Sequence, residues 1–380
     1  MAAVLFAVAF GTNVPTPLLI IYRRDLDLSA TTITAVFGVY AAGLLPALFL
    51  AGPASDRVGR KRVVLPFAVL ALATSLLFVR ASGSVPLLFL SRFLQGIVAG
   101  AVFSVGSAWL QDVCGPTATA AASRRASVAL NGGFALGPLT AGLLATYLPA
   151  PTTLPFLVHA VLAAAGVLVA LRTPDAVRHP TAATRIRGLG LPPLQRRRFW
   201  LVTAPGAVCV FGFPAVGITV LPLLLGSSGG AVAFTGLLAG LTLGCAALAS
   251  PFARGRARPA PLGAALGALG LAIGAAGTPD RALLLVPAAV LLGSGAGLVL
   301  TAGLEVVQRL STPATRGRLN AVFYAFAYLG FGIPVLLTAL ARGHRPVIEL
   351  LVLAVATTLL AGWMYVGSRA PGRHAAGALA

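Results

Sequence analysis

Gly52-Pro53-Ala54-Ser55-Asp56-Arg57-Val58-Gly59-Arg60-Lys61-Arg62 carries four basic residues and one acid in the seven positions 56–62, between two runs that are almost wholly apolar. Only 9% of the chain is Asp, Glu, Lys or Arg, so this density marks a point where the polypeptide leaves a hydrophobic phase. Gly59 permits a turn at positive φ, and Gly52 lets two backbones approach closely. The stretch reads as a short charged turn joining two apolar helices.

The same alternation continues outward. Of 380 residues 58% are apolar, and the mean hydropathy is +0.94. Soluble chains are roughly 45–50% apolar and about 25% charged. A spanning helix takes about 20 largely apolar residues, so the chain accommodates about a dozen of them. The net charge of +20 would suggest nucleic acid in a soluble protein. In a membrane protein it has a simpler cause, because basic residues collect in cytoplasmic loops. Cys114, Cys209 and Cys245 lie far apart and show neither a disulfide framework nor a metal-ligand spacing. The N-terminal run lacks a basic leader segment and reads as the first span rather than a cleaved signal peptide.

Twelve apolar runs are delimited by charge, glycine and proline: 2–22, 31–51, 63–79, 85–110, 126–148, 154–171, 199–225, 231–252, 261–278, 282–308, 319–341 and 346–367. The loops on the side of the opening stretch, with the tail, hold 21 basic residues. The opposite loops hold six: Arg23, Arg24, Arg80, Arg281, Arg342 and Arg345. The bias places the opening stretch and both termini in the cytoplasm of a multi-pass cell-membrane protein. Segment 172–198, with seven arginines and four prolines, divides the chain into an N-terminal six-helix bundle (1–171) and a C-terminal one (199–367), with a tail at 368–380. It reads as a solvated linker.

A shift of 193 residues superposes Asp112 on Glu305, Arg125 on Arg318, Gly100 on Gly293 and Gly137 on Gly330. Pro17-Leu18-Leu19 matches Pro222-Leu223-Leu224 at a shift of 205. Two repeated six-span halves with a substrate site at their interface form a transporter architecture. The expected fold is all-α: twelve transmembrane helices in two pseudo-symmetric six-helix bundles.

The spacing from Gly52 through Asp56, Arg57, Gly59 and Arg60 to Arg62 resembles the signature between spans two and three of the major facilitator superfamily, although Ala54 stands where that family often has Leu. Arg92-Phe93-Leu94-Gln95-Gly96, followed by Gly100, is similar to its span-four motif. Gly133-Phe134-Ala135-Leu136-Gly137-Pro138, followed by Gly142, resembles the span-five motif associated with its antiporters. Asn13-Val14-Pro15-Thr16-Pro17 resembles a pattern of its twelve-span drug:proton antiporters. The resemblance covers the whole chain.

It implies a cytoplasmic gate in which Asp56 pairs with Arg60, Arg60 reaches Asp112, and Asp56 faces the start of span eleven near Leu319 and Asn320. A carboxylate is favoured at a helix N-terminus by about 0.3–1 kcal/mol. The plainer alternative is a solvated turn. Glu305, the repeat-mate of Asp112, reads as a second gate acid paired with Arg254, Arg256 or Arg258, or else as a proton carrier. Arg92 lies well inside a span, where it costs about 2.5–3.5 kcal/mol on insertion scales. It is either a packing arginine held by Gln95, Asn13 or carbonyls, or a charge that modulates a proton site or binds an anionic group. Gly133, Gly137, Pro138 and Gly142 suit close helix packing, which in an antiporter also hinders leakage. His159, Asn131, Tyr324 and Tyr328 are further candidates for a central cavity. The Pro15/Pro17 break frees carbonyls beside Asn13.

The expected function is secondary transport by alternating access: proton-coupled efflux of a small neutral or lipophilic molecule by a monomer. A metabolite importer on the same fold and a non-transporting sensor are the alternatives. No Gly-Lys-Ser/Thr phosphate loop, nucleophile elbow or metal-ligand cluster is present. Neither enzyme activity, a cofactor, a metal nor nucleic acid is expected.

Overall fold

A computed structural model describes residues 1–175, 197, 199–225, 230–311 and 315–368. Most of the expected linker 172–198 and the tail beyond Ser368 lie outside them. Every regular element among the described residues is helical. The helices are α1 (Ala2–Asp25), α2 (Ala30–Val58), α3 (Arg60–Ala81), α4 (Val85–Cys114), α5 (Thr119–Tyr147), α6 (Leu154–Arg172), α7 (Phe199–Leu223), α8 (Ala231–Ala253), α9 (Pro259–Ala275), α10 (Pro279–Leu310), α11 (Arg318–Leu340) and α12 (Val347–Gly367). Eleven are long and apolar enough to cross a membrane; α9, with 17 residues, stands at the lower end of a spanning length.

Local chemistry sets the ends. The Ser29 Oγ accepts the Thr32 N–H at 3.0 Å and caps α2. Gly59, at φ 104°, breaks α2 from α3, and Gly115, at φ 78°, ends α4. The opening stretch is therefore less of a turn than its charge suggests. Asp56 and Arg57 ride on the last turn of α2, and the reversal is confined to Gly59.

The helix pairings repeat. α2 packs on α4 as α8 does on α10; α3 on α4 and α6 as α9 on α10 and α12; α1 on α5 as α7 on α11. The repeat glycines are the reason. A Cβ on Gly100 would overlap the Leu44 carbonyl of α2, and one on Gly293 the Thr242 carbonyl of α8.

The two sets of six also meet each other. The basic end of the bundle holds Arg57–Arg62, and the far end is opposite. The N-terminal half of α2 packs on the C-terminal half of α11, with Thr34 and Thr338 hydroxyls 2.9 Å apart. α5 packs along α8, where Gly142 and Gly236 bring their backbones together. Both seams run along the far half.

Candidate functional site

The centre of the bundle is organised by two prolines. Pro15 has no N–H for the Gly11 carbonyl, four residues back along α1. Gln95 Nε2 of α4 donates to that carbonyl at 2.6 Å. One carbonyl further on, Thr12 accepts from Arg92 Nη1 at 2.6 Å, and the same nitrogen donates to Gln95 Oε1. The proline motif of α1 and the Arg-x-x-Gln-Gly motif of α4 thus interlock through the Gly11 carbonyl, which the Val14 N–H also reaches at 3.3 Å, and the Thr12 carbonyl. Asn13 is buried beside them, yet the bonds of Arg92 go to the backbone of Thr12 and to Gln95.

Arg92 is 1% exposed, and its Nε has no hydrogen-bond partner among the described residues. All eight carboxylates of the chain lie near helix ends or in loops, Glu305 deepest, in the last two turns of α10. The charge is instead covered by rings: the guanidinium carbon lies 5.1 Å from the Phe37 centroid and 5.0 Å from that of Tyr40. Desolvated cation–π contacts reach about 2 kcal/mol. Phe37 and Tyr40 in turn meet Phe331 of α11 at 5.4 and 5.9 Å. Phe331 packs on Phe211 of α7 at 5.5 Å and on Tyr328 at 5.9 Å. A cation of the first half is therefore joined to an aromatic wall of the second. Phe331 was not singled out from sequence, and its setting between Gly330 and Gly332 is the only signal it carried.

Of the other cavity candidates, Tyr324 and Tyr328 join this wall, with ring centroids 6.4 Å apart. Asn131 donates to Ser127 one turn away on its own helix. His159 of α6 is buried, with Nε2 3.1 Å from the Ala7 carbonyl and Nδ1 on the Ser75 hydroxyl of α3.

The basic end holds a second cluster. Arg60 Nη1 lies 2.8 Å from Asp56 Oδ1, and its Nε donates to Asp112 Oδ2 at 3.2 Å. Ser55 accepts another Arg60 bond while donating to the Gly52 carbonyl at 2.7 Å; a Cβ on Gly52 would meet nothing within 4 Å, so the close backbone approach expected there is not made. Beside it, Lys61 Nζ donates to the Leu171 and Thr173 carbonyls, and Trp109 Nε1 to that of Pro174. The side chains of Asp56 and Asp112 are 47% and 39% exposed. Such pairs contribute about 0.2–1 kcal/mol each, weak enough to exchange partners. In this conformation the ion pair of Asp56 is made within its own half, to Arg60.

The second-half acid departs from expectation. Glu305 pairs with Arg309, one turn along α10, at 3.7 Å, and not with Arg254 or Arg256. An i,i+4 partner on the same helix is always in reach, whereas Arg254 and Arg256 sit on the α8–α9 loop. The glycines of α5 divide their work. Gly133 and Gly137 admit the backbone of α1 at Phe6 and Phe10; Gly142, a turn beyond Pro138, admits α8 at Gly236.

A bundle of membrane-crossing helices in two repeated sets, with a buried cation at their junction and a charged cluster at one end, has the plan of a polytopic membrane protein. The chain belongs to the Major Facilitator Superfamily, whose profile matches residues 1–334. It is similar to the multidrug resistance protein MdtL of Escherichia coli O157:H7, 38% identical over 122 residues, 32% of this chain and 29% of that protein. MdtL of Shewanella oneidensis is 28% identical over 211 residues, 53% of this chain and 50% of its own. The matches thus span less than a third and half of these relatives' lengths. Among solved structures, a peptide transporter POT in complex with sulfate superposes with a TM-score of 0.79 at 16% identity, covering 96% of this chain and 92% of its own. The nucleoside transporter NupG superposes at 0.74 and 15%, covering 96% and 98%. At these identities the likeness is one of fold.

Proposed function

We propose that this protein is a secondary transporter that exports small neutral or lipophilic molecules by alternating access in exchange for protons. It works as a monomer in the cell membrane, with its basic end and both termini in the cytoplasm and residues 1–171 and 199–367 as its moving halves. The observation that carries this reading is the far-end seam. Gly142 on Gly236, Thr34 on Thr338 and Phe331 on Phe37 join the halves through small and aromatic groups, so the seam can part while each half keeps its own packing. With the basic end inside, this conformation is closed to the outside. The aromatic wall around Arg92, with no carboxylate near it, suits apolar cargo. The relatives named multidrug resistance proteins point to the same substrate class.

Asp56, Arg57, Gly59, Arg60 and Asp112 then form the cytoplasmic latch, with Gly52 at its base. The Asp56→Asn variant is expected to hold the carrier longer in the inward-open state. Single cysteines placed in the cytoplasmic crevice should label faster; unchanged labelling would remove the latch role.

His159 supplies the proton site. A carbonyl only accepts, so the Nε2 facing Ala7 carries hydrogen in either charge state. In the neutral ring the Ser75 hydroxyl donates to Nδ1. After proton uptake Nδ1 donates to Ser75, whose hydroxyl turns to the Ala71 carbonyl, 3.0 Å away. Proton binding therefore costs no hydrogen bond. α1 brings no titratable side chain to the ring, and Phe10 stacks on it. The charges of α3, α5 and α6 lie at their ends. α4 contributes Arg92, reached through Gln95 and the Gly11 carbonyl. A proton on His159 thus repels the charge of Arg92.

Proteoliposomes assayed with a panel of lipophilic compounds, with and without an imposed pH gradient, test the whole reading. Accumulation should require the gradient. His159→Gln should retain substrate exchange and lose gradient-driven accumulation. Gradient-independent flux in the wild type sinks proton coupling, and full drive in the variant sinks His159. If no compound moves, the transport reading itself fails.

A further inference from the structure

A cavity of about 370 Å³ opens at the basic end of the second half, enclosed by α7, α9, α10, α11 and α12. It lies within one half, apart from the seam between halves. The first half shows why it is there. The repeat shift of 193 puts Ala302 where the first half has Trp109. Trp109 is fully buried, and its indole ties the chain beyond α6 at Pro174. Ala302 leaves that volume empty and lines the cavity. The size falls in the range of about 300–1,000 Å³ usual for small-ligand sites.

Its lining is two-sided. Val202, Phe323 and Met364 make an apolar wall, while Arg256, Arg258 and Arg309 face a single carboxylate, Glu305. Glu305 engages Arg309 at 3.7 Å, and the Arg258 guanidinium lies 4.2 Å from the Tyr365 ring centroid. The lining therefore holds an excess of positive charge beside a greasy wall at the end of the helices, where headgroups lie.

We propose that this cavity binds an amphipathic phosphate, its phosphate on Arg256, Arg258 and Arg309 and its apolar part along Val202, Phe323 and Met364. Basic pockets between membrane helices on the cytoplasmic side are suited to phosphate headgroups. Because all its walls come from one half, binding needs no alternation. It stands or falls independently of the transport reading.

The full-length protein in phosphatidylcholine nanodiscs containing some phosphatidylglycerol provides the test, with retained lipid measured by native mass spectrometry. Ala302→Trp should abolish retention of phosphatidylglycerol, since the repeat-mate Trp109 shows that an indole fits this place in a half. Replacing Arg256 and Arg309 together with Gln should lower retention about 30-fold, the equivalent of about 1 kcal/mol per arginine near the surface. The arginine pair sits at the rim, so this variant keeps the proposal testable even if Ala302→Trp fails to fold. Equal retention by the wild type and every folded variant overturns the site. Thermal stabilisation by inorganic phosphate alone, lost in the same variants, supports the site with a soluble anion as its source.

Discussion

Arg92→Met lowers gradient-driven transport to the level of protein-free liposomes while the bundle still folds. Methionine keeps an unbranched chain against Phe37 and Tyr40 and removes the charge together with the guanidinium's donors. Its loss frees the Thr12 carbonyl and Gln95 Oε1, at about 1.5–3 kcal/mol for each bond to a charged group. Against this stands the roughly 2.5–3.5 kcal/mol that burying arginine in a membrane costs. On these terms stability falls by at most about 3.5 kcal/mol, a change that thermal unfolding in detergent can read. Arg92→Lys should behave differently from a conservative exchange, because an ammonium lacks the flat face that lies over the rings. A folded Arg92→Met carrier with wild-type flux would reduce Arg92 to packing. Normal flux together with a large loss of stability would do the same.

Gly236→Val should drive the carrier towards the outward-open state. A Cβ at Gly236 lies 2.6 Å from the Pro138 carbonyl and 3.0 Å from the Gly142 Cα, both in α5 across the seam. Overpacking of this kind costs about 1–3 kcal/mol. It is felt only when the far end is closed, so the population shifts by about 5- to 150-fold. Spin labels at the far ends of α5 and α8 should report a longer distance, and a cysteine near Phe331 should label from outside. Gly137→Val provides the contrast. Its Cβ would overlap the Phe10 carbonyl of α1 inside the same half, so it should weaken the fold itself. If Gly236→Val left the distance between α5 and α8 unchanged, the seam would not be the moving part. The direction is opposite to that of Asp56→Asn, and combining the two substitutions should partly restore the wild-type balance.

Much of the plan was legible because a membrane makes sequence punctuation unusually informative. Charge cannot stay in hydrocarbon, so Arg57–Arg62, Arg124–Arg125 and Arg254–Arg258 had to mark helix ends. The charge of 52–62 suggests a turn throughout, yet Asp56 and Arg57 are compatible with a last helical turn that projects beyond the apolar core. The central site was partly visible. Arg92 and Gln95 stood out as polar residues in a span, and Pro15 predicted a freed carbonyl, yet nothing in the sequence said that Gln95 would take it. Helices such as α1 and α4 are apolar on every side, so no hydrophobic stripe tells which face meets which neighbour.

By itself, the sequence determined the twelve helices, the basic side and the repeat, since each follows from the cost of burying charge and from the shift of 193 residues, whereas α2 runs on to Val58 and α5 starts back at Thr119, beyond their apolar runs. Only the tertiary structure decided the partners. Phe331 closes on Phe37, His159 reaches Ser75 across 84 positions, Glu305 turns to Arg309, and Ala302 leaves open what Trp109 fills. Those contacts depend on how far each helix is rotated about its axis and which half is closed on which. The small residues that set these distances, Gly142 and Gly236 among them, carry no polarity from which a pairing can be read.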